Sequence, residues 1–76
     1  MITPERTLKY VKDEMTFKES HEYREERLNQ FVALSKKFIE ENNKDERLLI
    51  EKQINAFAVR MAREDNIRRQ FRKARR

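Results

Sequence analysis

Apolar residues recur along this chain at helical spacing. Leu28, Phe31, Val32, Ser35, Phe38 and Ile39 mark one face of a helix, with Ser35 as a small spacer. Further on, Ile50, Ile54, Phe57, Ala58 and Met61 form a main stripe, and Leu49, Ala56, Ile67, Phe71 and Ala74 a second. At 100° per residue these two stripes stand about 100° apart around one axis. A single hairpin partner does not cover both, so the second stripe calls for another packing partner. Leu8, Val11 and Met15 repeat the i, i+3, i+7 spacing near the N-terminus.

Capping signals set the boundaries. Thr3 is an N-cap with Pro4 in the first helical position and Glu5 in the first turn, which predicts a short helix over 4–14. Thr16-Phe17-Lys18-Glu19 has the form of a capping box and opens a second helix over 17–41. Residues 3–41 read as one bent helix are the alternative. Asn42-Asn43-Lys44 make the turn, where asparagine tolerates the left-handed backbone that glycine usually takes after a helix. Asp45 and Glu46 suit the positive end of a third helix, over 45–72. A loop this short makes the long helices antiparallel. The fold class read from these signals is all-α: a long antiparallel helical hairpin plus a short N-terminal helix, a three-helix arrangement in one domain over 1–76, completed by oligomerisation.

Composition sharpens that reading. The 76 residues include no glycine, no cysteine and one proline, and 43% are charged. Without glycine the tight turns of β-hairpins and phosphate-cradling loops are disfavoured, and without cysteine there is no disulfide. Only 37% of residues are hydrophobic, enough for one thin core and not for a core plus a deep substrate pocket. Phe31, Phe38 and Phe57 are the expected core aromatics. The stretch 18–27 is dense in charge and is expected to be exposed, with Tyr23 off the main face. No apolar leader opens the chain and no run is long enough to span a bilayer, so the expected location is cytoplasmic.

The net charge of +5 is unevenly placed. Residues 1–62 balance at twelve Lys/Arg and twelve Asp/Glu, whereas residues 63–76 hold seven Lys/Arg against Glu64 and Asp65. Arg68, Arg69, Arg72, Lys73, Arg75 and Arg76 form a basic tail over 68–76 suited to phosphate or to an acidic partner. The simpler account is that cations complement the helix C-terminus and that Glu64–Arg68 and Asp65–Arg69 are i, i+4 pairs.

No catalytic constellation emerges. His21 and Glu25 lie one turn apart but lack a second histidine, and Ser35 has no histidine near it in sequence. Neither an enzymatic activity nor a cofactor or metal is expected. Two classes of function remain. One is a non-catalytic protein–protein interaction module acting as a homo-oligomer, packing through Leu49, Ala56, Ile67 and Phe71, a type associated with regulators and inhibitors of phages and mobile elements. The other is a DNA- or RNA-binding protein using the basic tail on the phosphate backbone, with Phe71 available to stack on a base.

Overall fold

A computed structural model describes residues 1–75 and contains three helices: α1 (Pro4–Val11), α2 (Phe17–Glu40) and α3 (Lys44–Ala74). Among the described residues there is no strand. The long pair α2 and α3 packs antiparallel, and α1 lies alongside one end, touching both. The molecule measures 50 × 20 × 16 Å.

Local chemistry accounts for each boundary. The Thr3 side chain accepts from Arg6 N–H and Pro4 occupies the first turn, where its missing donor is harmless. The Thr16 hydroxyl accepts from Glu19 N–H and the Glu19 carboxylate from Thr16 N–H, completing the reciprocal capping box. Asn43 Oδ1 accepts from the backbone N–H groups of Asp45 and Glu46. The first two helices are separate, which settles the alternative of one bent helix over 3–41.

The left-handed residue is not where asparagine suggested it. Asn43 has φ −79° and acts as the N-cap of α3, and Asp13 alone among the described residues has positive φ, at 56°. Asp13 ends α1: its N–H donates to Tyr10 O and Glu14 N–H to Lys9 O. This is the paired bonding of a Schellman motif, with aspartate in the position that glycine usually holds.

The packing departs from the sequence expectation in two ways. Phe31, Phe38 and Phe57 face inward but are only half-buried, while Leu28, Val32, Ile39 and Ala58 lie outside. The fully enclosed side chains are instead Tyr10, Tyr23 and Ser20, at 0–1% exposure. The stretch 18–27 was expected in solvent, yet it contributes Ser20, Tyr23 and Arg27 to the interior. The reason is charge pairing: a stripe counted from apolar residues alone stops at Leu28, but the inward face runs on through Arg27, Tyr23 and Ser20, whose polar atoms find partners on α1 and α3.

Candidate functional site

The interior at the α1 end is a polar lock. The rings of Tyr10 (α1) and Tyr23 (α2) stack with centroids 4.4 Å apart. The Arg27 guanidinium lies 5.1 Å from the Tyr10 centroid and 5.6 Å from that of Tyr23, and Arg68 lies 4.5 Å from Tyr10. All three distances suit a cation held against an aromatic ring. Arg27 Nη1 donates to Glu64 Oε1 (3.1 Å), and Nη2 bridges both Asp65 oxygens (3.1 and 3.2 Å). Tyr23 OH donates to Glu64 Oε1 (2.9 Å) and meets Thr7 Oγ1 (3.0 Å), and Tyr10 OH donates to Asp65 Oδ1 (2.6 Å). Arg27 Nε is the one buried side-chain polar atom without a partner among the described residues.

These contacts set the ionisation of the lock. Burial, reinforced by the adjoining Glu64 carboxylate, outweighs the opposing bond with Thr7 and pushes the Tyr23 hydroxyl up to about 12. Burial pulls the Arg27 guanidinium down, but Asp65 and Glu64 more than offset it and the group is held above its ordinary range. A folded-state value raised above the unfolded 10 favours neutral Tyr23, so its contribution is complete below pH 10 and is lost as pH rises towards 12. NMR of ring-labelled tyrosine is expected to show the Tyr23 carbon titrating near 12, together with loss of helix. Titration of Tyr23 at pH 10 with the helices intact would refute this.

A second knot forms where α1 meets the end of α3. Arg68 Nε donates to Asp13 Oδ1 (3.1 Å) and Arg68 Nη2 to Ser20 Oγ (2.9 Å). Arg72 Nε and Nη2 donate to the two Asp13 oxygens (3.3 and 3.1 Å). Arg75 donates to the backbone carbonyls of Asp13 and Lys12, each at 2.7 Å. The hydrogen bond from Arg72, with the charges of Arg72 and Arg68, holds the Asp13 carboxyl below its ordinary range.

The basic tail is therefore divided in use. It is not a separate segment but the last turns of α3. Arg68, Arg72 and Arg75 converge on Asp13 and its backbone, whereas Arg69 and Lys73 are exposed without an ion pair among the described residues. Arg76 lies outside the described residues. In the second stripe, Ile67 borders a groove of about 580 Å³ between α1 and α3, walled by Pro4, Leu8 and Val11 on one side and Arg60 and Arg63 on the other. Leu49, Ala56 and Phe71 stay exposed. Helix α1 thus meets the second stripe only beside Ile67.

His21 Nε2 lies 3.5 Å from a Glu25 oxygen, with both side chains well exposed. Among the described residues no group of three or more candidate ligands could hold a metal ion, and no helix is long and apolar enough to cross a membrane.

Tyr10, Asp13, Tyr23, Arg27, Glu64 and Asp65 were not singled out as a site from the sequence. A signal was present. The inner stripe of α3, Ile50, Ile54, Phe57 and Met61, continues at the same spacing into Glu64, Arg68 and Arg72. That of α2 runs back from Phe31 to Arg27, Tyr23 and Ser20. Opposite charges continuing two facing stripes are the mark of a paired polar interior.

Comparison with protein-family models, with curated proteins and with solved structures finds no match to this chain. Any functional reading therefore rests on the molecule's own surfaces.

One apolar surface has none of the described residues against it. On α2, Leu28, Val32 and Ile39 project about 140–180° from Tyr23, at 100° per residue, and Tyr23 is the residue that meets α1. On α3, Ala58 and Ala62 project about 140–180° from Ile67, which borders the α1 groove. Both sets thus lie on the side of the hairpin away from α1. Leu28 is 58% exposed, Val32 41% and Ile39 76%.

Proposed function

We propose that this chain is a non-catalytic helical interaction module that self-associates through the side of the hairpin away from α1, and that docks on another protein in that form. The observation that carries this reading is the apolar flank Leu28, Val32 and Ile39, exposed beside the small residues Ala58 and Ala62. Bulky side chains on one helix and alanines on the other complement each other when two copies meet face to face.

Surface area supports it. A compact monomer of 9.4 kDa exposes about 5,000 Å², whereas this chain exposes 6123 Å². The excess, about 1,100 Å², is on the scale that one partner buries in an ordinary stable interface, about 800 Å². The nucleic-acid reading ranks second, because Arg68, Arg72 and Arg75 are already committed within the chain.

Sedimentation velocity across a hundredfold concentration range tests the proposal. The expected result is a dimer at tens of micromolar, weakened at least tenfold by Leu28→Lys with Val32→Lys while helicity is kept. A monomer at every concentration overturns it, as does a dimer indifferent to both substitutions.

A further inference from the structure

Beside the lock a cavity of about 190 Å³ is lined by Tyr10, Arg24, Asp65, Arg68, Arg69 and Arg72. Four of these are arginines, one from α2 and three from α3. Asp65, its single acid, is already occupied: Oδ1 accepts from Tyr10 and Arg27, and Oδ2 from Arg27. Arg68 and Arg72 are held in place by Asp13, yet Arg72 Nη1 has no partner among the described residues. Arg24 and Arg69 have neither an ion pair nor a side-chain hydrogen bond among the described residues.

Internal ion pairs explain Arg68 and Arg72 but not Arg24 and Arg69. Like charges brought together across two helices repel, and the exposed Arg24 and Arg69 contribute no internal contact that offsets the repulsion. A bound anion would remove that penalty. The guanidinium fork matches the paired oxygens of phosphate, and Asp13 holds the Arg72 fork beside the cavity before any ligand arrives.

We propose that the cavity between Arg24, Arg69 and Arg72 is a binding site for a compact phosphate dianion, either free phosphate or the terminal group of a phosphate monoester. The cavity selects a small terminal group because it is a single depression walled by both helices, not a basic stripe along one of them. Arg24 and Arg69 supply the free forks, and Arg72 adds its unpartnered Nη1. The lining residues all come from one copy of the chain. Sedimentation in the same buffers, with and without phosphate, keeps the two proposals separable.

Calorimetric titration of the full chain with inorganic phosphate, and separately with glycerol phosphate, tests it against chloride at matched ionic strength. Saturable phosphate binding, weakened at least tenfold by Arg24→Gln with Arg69→Gln, is the expected result. Both positions are exposed, so the variant should keep the wild-type circular dichroism and an unfolding midpoint in chloride no lower than that of the wild type. Preference for glycerol phosphate identifies a monoester as the ligand, and equal affinity identifies free phosphate. Heat no different from chloride overturns the proposal, as does unchanged binding by the double variant. A single-stranded oligonucleotide that binds tighter than phosphate and is indifferent to both substitutions would also overturn it, in favour of backbone binding elsewhere on α3.

Discussion

Arg27→Met is expected to destabilise the chain by about 3–5 kcal/mol, the usual consequence of removing one partner of a buried ion pair. Methionine keeps most of the stem volume, so the loss isolates the guanidinium. Glu64, 7% exposed, then keeps only the Tyr23 hydroxyl as a partner, and each tyrosine ring loses one of the two cations against it. A domain of this size has a total stability of roughly 4–11 kcal/mol at ~0.05–0.15 kcal/mol per residue, so much of the population unfolds. Urea denaturation followed by circular dichroism measures the effect. Adding Glu64→Leu should restore a large part of it, because an apolar pair of similar volume carries no unpaired charge. A loss below 1 kcal/mol for Arg27→Met would mean that the lock is peripheral.

The second large effect is at Asp13, and glycine is the informative replacement. The backbone there is left-handed, which costs a residue with a Cβ about 1–2 kcal/mol and costs glycine nothing comparable. If conformation alone mattered, Asp13→Gly would stabilise the fold. The expected outcome is the reverse, a net loss of about 2 kcal/mol, because Arg68 is 9% exposed and is left with only Ser20. Acid unfolding supplies an independent check. The Asp13 carboxyl is held below its ordinary 3.8, first by the hydrogen bond from Arg72. A depressed folded-state value means that its contribution is present above the unfolded value and disappears as pH falls through the folded one. The wild type should therefore lose stability below about pH 4 more steeply than Asp13→Gly, measured by urea midpoints at successive pH values.

The helices were legible in the sequence because capping is local. Thr3, Thr16 and Asn43 act within three residues of themselves, and apolar spacing alone places α2 and α3. The lock was not legible, because its hydrogen bonds to α3 span 37–55 residues between side chains that apolar counting discards. Tyr23 reads as exposed beside Glu22 and Arg24 until Glu64 and Arg27 are known to enclose it. The basic tail misled for the same reason. Seven cations among fourteen residues suggest a ligand, yet Asp13, over fifty residues away, engages three of them. Of the seven, Arg63, Arg69 and Lys73 have no ion pair among the described residues, and Arg24 of α2 joins Arg69 at the cavity. Apolar spacing failed in the opposite sense at Leu28, Val32 and Ile39. They satisfy a helical stripe as well as Phe31 and Phe38 do, but α3 meets only one edge of that stripe.

The central claim is that the fold is held at its α1 end by the tyrosine–arginine–carboxylate lock and not by the apolar middle of the hairpin. Amide hydrogen exchange read by mass spectrometry at low micromolar concentration tests this most directly. The slowest exchange is predicted in Ser20–Arg27 and Glu64–Arg68, with faster exchange in Lys36–Glu40 and Arg47–Ile54 near the turn. The contradicting result is the slowest exchange around Phe31, Phe38 and Ile54, with the segments carrying Tyr23 and Glu64 opening first.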